Sequence, residues 1–527
     1  MSPYFLTKLV DYRQSDIVMK HILPFLMIFG LFSCVEKANE QPNIIFIMSD
    51  DHGYQAISAY DGSLNSTPGL DRLADEGVIF RNSFVCNSIC APSRAALLTG
   101  KHSHANGHLD NRARFDSSQV TFPKLLQKAG YQTALIGKWH LKSDPTGFDY
   151  WNILPGQGMY YNPDFIEMGK RYREEGYATT VITDMAIKWL RGRDTSKPFC
   201  LLVHHKAPHR NWMPDTLDLD LFDGRRFPLP GNYFDDYSGR QAAGLQEMSI
   251  ARDMTLSSDL KIKGADGDSV SQIEKGYLAF LRNRLTPEQY EAWNREYDSI
   301  SNDFLSDRPQ GDSLAIWKYN RYMTDYLRTI ESIDRNTGRL IDFIDSAGLK
   351  ENTLVVYTSD QGFYLGEHGW FDKRFMYEES FRTPLLMRLP AGYGAKGSID
   401  RMVQNIDFAP TFLEMAGVRP PSEMQGVSMV HLLKGERAGN ARDALYYHYY
   451  EYPGEHKARR HYGIRTTRYK MIHFYGDIEA WELYDLETDP HEMTNLIDDP
   501  ASKNLIKKLK KQLISLQDQY QVPDELR

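Results

Sequence analysis

Asn43-Ile44-Ile45-Phe46-Ile47-Met48-Ser49-Asp50-Asp51-His52-Gly53 is an apolar run of strand length that stops on two adjacent acids and a glycine. Continuous rather than alternating hydrophobicity marks a strand covered on both faces, as in a mainly parallel sheet. The same design recurs three times. Residues 133–136 run into Gly137-Lys138-Trp139-His140, 199–203 into His204-His205-Lys206-Ala207-Pro208-His209, and 354–358 into Ser359-Asp360-Gln361-Gly362. Helical patterns lie between these runs, at 69–76, 121–129 and 322–344. The last places Leu327, Ile330, Ile333, Leu340, Ile341 and Ile344 on one stripe. The expected fold class is α/β, a mainly parallel sheet flanked by helices. Open sheets of this kind bind ligands beyond the carboxyl ends of their strands. One strand end carrying acids, His or Lys is unremarkable; four together mark an active site.

The texture changes near Asp443. Residues 445–450, 461–466, 469–475 and 481–486 read as a meander of aromatic strands. Residues 502–520 read as a helix with Leu505, Leu509, Leu513 and Leu516 on one stripe and a solvated basic face. The expected organisation is a catalytic domain over 40–440 and a smaller C-terminal α+β subdomain, antiparallel sheet plus helix, over 441–527. Within the first, 210–312 is polar, Asp-rich and poorly periodic, and reads as a long decorated insertion.

The 527 residues are 41% hydrophobic and 25% charged, enough for a sizeable core. A net charge of −8 speaks against nucleic acid as a partner, because phosphate backbones are bound by basic surfaces. The 32 Tyr and 8 Trp suit contacts to sugars. Met19-Lys20-His21 precedes the apolar run 22–32 and then Ser33-Cys34, so residues 1–34 read as a signal segment for export. The run is too short to span a bilayer. With a cysteine at the cut it resembles a bacterial lipoprotein signal, although Phe32 is bulky for one. The expected location is the periplasm or outer membrane, with membrane contact only through a lipid on Cys34.

Asp50-Asp51 and Asp360-Gln361 are oxygen-donor pairs at strand ends. Adjacent carboxylates repel, a cation is the usual remedy, and an all-oxygen set favours calcium or magnesium over zinc. Ser88-Ile89-Cys90-Ala91-Pro92-Ser93-Arg94 then leads into Ala95-Ala96-Leu97-Leu98-Thr99-Gly100-Lys101. Pro92 suits a first helical turn, which puts Cys90 at a helix N-terminus, where the dipole favours an anion. Chemistry alone leaves two readings for Cys90, a thiolate nucleophile of low pKa or a packed small residue.

Cys90-Ala91-Pro92-Ser93-Arg94 followed by Leu98-Thr99-Gly100 resembles the signature of the formylglycine-dependent sulfatases, a family with an alkaline-phosphatase-like fold. The resemblance runs from Pro42 to about Asn495. It implies that Cys90 is oxidised to formylglycine by a maturation enzyme, and that Asp50, Asp51, Asp360 and Gln361, with the modified Cys90, bind one calcium ion. It implies further that Lys138, His140 and Lys373 grip the sulfate, that Arg94 and the cation steady the attacking oxygen, and that His209 or Lys373 protonates the leaving sugar oxygen. Several relatives carry Asn or His where this chain has Gln361. With Cys34 lipidated and Cys90 catalytic, only Cys86 and Cys200 remain to pair, which is no disulfide framework.

Residues 116–126, Phe148-Asp149-Tyr150-Trp151, Leu154-Pro155-Gly156-Gln157-Gly158, Tyr160-Tyr161-Asn162-Pro163 and 455–465 resemble the N-acetylglucosamine-6-sulfatase branch. The implied substrate is a sulfated saccharide carrying a 6-O-sulfate on N-acetylglucosamine, as in heparan-type or related glycans. The alternatives are algal polysaccharide sulfates and a phosphoester or phosphonate hydrolase; a surface lipoprotein that binds sulfated glycan without cleaving it would have no use for Cys90, Arg94, Lys138 and Lys373. Residues 455–465 are also the densest cationic stretch of an acidic chain. They are expected either to meet an anionic sugar or to be a solvated strand edge.

Overall fold

The computed structural model describes residues 41–265, 272–436 and 442–527. Residues 1–34, read from the sequence as a signal segment, and with them Cys34, lie outside them. The strands are β1 (Asn43–Ser49), β2 (Val78–Phe80), β3 (Ser83–Phe84), β4 (Gln132–Lys138), β5 (Tyr150–Leu154), β6 (Asp164–Glu167), β7 (Lys170–Arg173) and β8 (Phe199–His204). They continue with β9 (Thr353–Ser359), β10 (Leu385–Arg388), β11 (Gly397–Ile399), β12 (Val403–Gln404), β13 (Ala444–Tyr449), β14 (His461–Thr466), β15 (Tyr469–Phe474) and β16 (Ala480–Asp485). The main sheet has the order β11-β2-β10-β9-β1-β8-β4-β5-β6-β7. Its centre, β9-β1-β8-β4-β5, is parallel throughout, whereas β10 and β6 join it antiparallel.

The continuous apolar runs have the physical cause expected of them. Ile45, Ile47, Ile136, Leu201, Val203 and Val355 enter one hydrophobic cluster with Ile182, Leu327 and Ile330 of two helices. The intervening Ile44, Phe46, Leu135, Leu202 and Val356 enter a second cluster with Ala95, Phe408 and Phe412. Side chains alternate across a strand, so a sheet with helices on both faces needs apolar residues at every position. The helix expected over 322–344 is longer, Gly311–Ser346; its first turns are more exposed, so the stripe fades there.

Residues 210–312 are not a decoration. They include the helices Gln272–Arg284 and Pro287–Asp307, the second opened by a Thr286–Gln289 capping box with Pro287 in its first turn. Trp212, Phe227, Ile250, Leu260, Ile262, Trp293 and Tyr297 join the same cluster as β1 and the long helix. Some of the aspartates that made the stretch look solvated are themselves buried against cations. Asp259 takes two hydrogen bonds of 2.7 Å from Arg210, and Asp235 pairs with the buried Arg240. Widely spaced anchors in an irregular chain produce no period.

The C-terminal residues form the antiparallel sheet β13-β14-β15-β16 and the helix Lys503–Gln519. Leu509 and Leu513 pack on Tyr446, Ile464, Met471 and Leu483, while the helix lysines are exposed. The opposite face of the sheet, with Tyr447, Tyr449, Ile472 and Phe474, packs on Trp370, Phe375, Tyr377 and Phe381. Cys86 and Cys200 are both free and buried. Among the described residues no helix is long and apolar enough to cross a membrane.

The position of Trp293, fully buried in the main cluster, makes a prediction. Trp293→Ala should cost about 3–5 kcal/mol of stability in denaturant unfolding. Leu217→Ala, at a site 72% exposed in the same segment, should stay within about 0.5 kcal/mol of the parent.

Candidate active site

The register of two strands builds the centre of the site. Ser49 of β1 lies opposite Ser359 of β9, so the pairs Asp50-Asp51 and Asp360-Gln361 leave the sheet side by side. The Asp51 amide donates to Asp360 Oδ1 at 3.2 Å. Asp51 has φ +70°, a left-handed conformation that costs free energy unless its surroundings hold it. Tyr326 of the long helix does so: its hydroxyl donates to the Asp51 carbonyl at 2.8 Å and accepts from the Gly53 amide at 2.9 Å. The carboxylate oxygens of Asp50, Asp51 and Asp360 converge within 4.8 Å of one another.

The helix Cys90–Thr99 points its N-terminus at this cluster. Cys90 Sγ donates to Asp50 Oδ1 at 3.4 Å. One turn on, Arg94 places Nε and Nη2 at 3.1 and 2.9 Å from Asp360 Oδ2 and donates Nη1 to the Lys138 carbonyl at 3.0 Å. Ser93 Oγ donates to the Asp360 carbonyl. The low-pKa thiolate reading of Cys90 does not hold here. Burial, and then the carboxylate of Asp50, push the thiol well above its ordinary range, outweighing the helix dipole.

Lys138 ends β4, where Gly137 is required: a Cβ there would stand 1.9 Å from the His204 carbonyl of the neighbouring strand. The Lys138 ammonium contacts Asp50 Oδ2 and Gln157 Oε1. Lys373 donates to both oxygens of Asp51, at 2.6 and 2.7 Å. His209 Nε2 lies 3.8 Å from Asp51 Oδ2, with Nδ1 held 2.7 Å from the Arg210 carbonyl. His140 adopts φ +58° and lies within electrostatic reach of Lys138, Asp50, Arg94 and Lys373; burial, then Lys138, lowers its imidazole to about 2. All ten residues singled out in the sequence thus meet at one place. The two lysines that the resemblance assigns to sulfate rest here on carboxylates.

The charges show what the site could hold. Burial alone would raise Asp50, but Lys138, His209, Arg94 and Lys373 hold it well below the usual carboxylate range. Burial pushes Asp51 up to about 8 against the pull of Lys373, with Asp50 and Asp360 adding to the rise. Burial and then Asp50 raise Asp360 to about 6. Gln361 Oε1 is buried without a hydrogen-bond partner. Three crowded carboxylates and one orphaned amide oxygen suit a hard divalent cation with oxygen ligands, calcium before zinc.

Several participants carried no sequence signal of their own. Tyr326 stood within the helical stretch 322–344 with no role of its own, and Gln157 in a glycine-flanked loop. Asp372, Arg374 and His456 form a wall beside Lys373: Arg374 Nε lies 3.1 Å from Asp372, and His456 Nε2 3.2 Å from its other oxygen. His456 comes from the cationic stretch 455–465, which is neither a free anion site nor a strand edge. Its charges are taken. Lys457 pairs with Glu247, Arg459 with Asp477 at 3.0 Å and Arg465 with Glu378 at 3.3 Å, while Arg460 donates to the Tyr450 and Tyr452 carbonyls. β14 lies inside its sheet, between β13 and β15.

Sheet and site together have the alkaline-phosphatase-like arrangement. The chain belongs to the sulfatase family, whose model matches residues 42–418, and is a sulfuric ester hydrolase. Residues 366–519 match the model described as N-sulphoglucosamine sulphohydrolase, C-terminal. An N-acetylglucosamine-6-O-sulfatase of Bacteroides thetaiotaomicron is 48% identical over 515 residues, covering 96% of this chain and 92% of that protein. An ulvan-active sulfatase of Formosa agariphila is 26% identical over 558 residues, covering 98% and 92%. A solved structure of a protein in complex with its substrate D-glucosamine-2-N,6-O-disulfate matches with a TM-score of 0.88 at 49% identity, covering 92% of this chain and 99% of that one.

The bracing of Asp51 is testable. Tyr326→Phe leaves a buried carbonyl and a buried amide without their partner, which should cost about 1–3 kcal/mol in thermal or urea unfolding. Unchanged stability would show that the turn holds itself.

Proposed function

We propose that the protein removes the 6-O-sulfate from N-acetylglucosamine or a related glucosamine unit of heparan-type or similar glycans. The observation that carries the chemistry is Cys90 at a helix N-terminus, with its Sγ 3.4 Å from Asp50 inside the carboxylate cluster. The position of the sulfate rests on the relative named for N-acetylglucosamine 6-O-sulfate and on the neighbour whose substrate carries a 6-O-sulfate.

Asp50, Asp51, Asp360 and Gln361 would hold calcium, which when bound supplies positive charge that polarises the reacting oxygens. Formylglycine, made from Cys90 by a maturation enzyme, supplies the nucleophile. The other roles belong to the chain itself. Arg94 keeps Asp360 ionised and locks the helix to the strand end. Lys138, His140 and Lys373 are placed to bind sulfate oxygens once a cation takes over Asp50 and Asp51. His209 and Lys373 lie on the Asp51 side, placed to hand a proton to the leaving sugar oxygen. The charge count agrees. Arg94, Lys138 and Lys373 match the three carboxylates in number, so a divalent cation would leave a net positive site that favours an anionic ester.

Wild-type enzyme should release sulfate from N-acetylglucosamine 6-sulfate and not from the 3-sulfate or from galactose 6-sulfate. Cys90→Ala should release none while keeping its melting temperature. Release only from another member of the panel would retire the substrate. Calcium should raise the melting temperature, by about 2.7 kcal/mol of added stability at a hundred times its Kd, and a chelator should reverse this. Stabilisation by zinc but not by calcium or magnesium would sink the metal assignment.

A further inference from the structure

Six lysines are buried among the described residues: Lys138, Lys206, Lys261, Lys318, Lys373 and Lys470. Five have acceptors. Lys138 and Lys373 meet Asp50 and Asp51, Lys261 meets Asp325, Lys470 meets Glu378 and Glu492, and Lys318 donates to the carbonyls of Ala251 and Met254. Lys206 has none. It is 6% exposed, and among the described residues its ammonium has neither a carboxylate nor a carbonyl partner. A buried ammonium without a partner is costly, and such a charge is ordinarily neutralised or paired.

Its surroundings show where the missing partner would stand. Lys206 follows β8 at the same sheet edge as the other site residues. Its Nζ lies 4.8 Å from the centre of the Tyr160 ring. That ring is fixed, because its hydroxyl donates to the His209 carbonyl at 2.5 Å and its face stacks on Tyr177 at 5.9 Å. The cation–π contact offsets part of the desolvation. Burial, then the neighbouring Lys138, lowers the ammonium to about 8, and Asp50, Asp51 and Cys90 are also within electrostatic reach. It remains largely charged at neutral pH. The ammonium is not fully enclosed either.

We propose that Lys206 is a substrate-contacting residue, a further cation of the pocket whose partner is the sulfate group itself, on the ester before reaction and as the free ion afterwards. The proposal rests on the reading of the pocket as a sulfate-ester site. It assigns to the loop after β8 a binding role beside that of His209, and explains why a charge with no protein partner is retained at that edge.

The test uses the full chain, matured and with calcium, as wild type, Lys206→Met and Lys206→Arg. The readouts are KM and kcat on N-acetylglucosamine 6-sulfate, the inhibition constant of inorganic sulfate, and the melting temperature. Loss of one charge-assisted contact corresponds to about a tenfold to hundredfold weakening. Lys206→Met should weaken inorganic sulfate by that factor and raise KM more than it lowers kcat. Its melting temperature should be unchanged or higher, since an unpaired buried charge has gone, and Lys206→Arg should recover much of the affinity. A merely structural lysine would instead lower the melting temperature and leave sulfate binding alone. Sulfate binding at the wild-type constant in Lys206→Met overturns the proposal; if that variant does not fold, Lys206→Gln is read on the same constant. Failure of the substrate reading is seen separately, as a wild type that releases no sulfate from this sugar; calorimetric binding of inorganic sulfate then decides the role of Lys206.

Discussion

Three carboxylates meet at one buried point, and much of the local structure answers that constraint. Like charges this close, out of water, cannot all remain ionised without cations near them. The protein supplies Arg94 on Asp360, Lys138 on Asp50 and Lys373 on Asp51. Each comes from a different segment, so helix 90–99, strand β4 and the loop after β9 must all reach the end of the β1–β9 pair. Gly137 admits β4 closely to β8, and Tyr326 holds the left-handed turn at Asp51. Burial raises the Asp51 carboxyl even so, and the Gln361 side-chain oxygen is left free to ligate a cation.

The same field decides what Cys90 can be. A helix N-terminus favours an anion by about 0.3–2 kcal/mol. Against this stand full burial and a carboxylate 3.4 Å away, and these win. The thiol is held protonated, donates to Asp50, and is a poor nucleophile as it stands. A group that is neutral until it reacts is better matched to this pocket than a thiolate.

The parallel sheet was legible because its strands are covered on both faces, so β1, β4, β8 and β9 showed as unbroken apolar runs. The site was legible because register carries functional groups to one edge: Ser49 opposite Ser359 places two acid pairs together. What stayed hidden has no local period. Trp212, Ile250 and Trp293 are anchors separated by polar chain, and their burial depends on ion pairs such as Arg210–Asp259 that join distant residues. Tyr326 lay within the helical stretch 322–344 but outside its apolar stripe, and nothing local shows that its hydroxyl reaches a strand end. The cationic stretch 455–465 misled for a related reason. Composition reports charge and not pairing, and most of these charges face acids brought from elsewhere.

Asp50, Asp51, Asp360 and Lys138 stand at strand ends and Cys90 and Arg94 on one helix, at positions set by the sheet, whereas His209 and Lys373 come from loops. The walls of the pocket come from loops: 155–160 with Gln157 and Tyr160, 206–209 with Lys206, and 372–374 with His456 laid across it. These loops are not free to drift. Tyr160 is bonded to the His209 carbonyl, Arg374 to Asp372 and Glu455, and His456 to the Glu247 carbonyl at 2.6 Å. Such ties hold the loops in place, and the same loops bring His209 and Lys373 to Asp51. The loop that carries His456 runs from β13 to β14, so the C-terminal sheet supplies one residue that meets Asp372, next to Lys373.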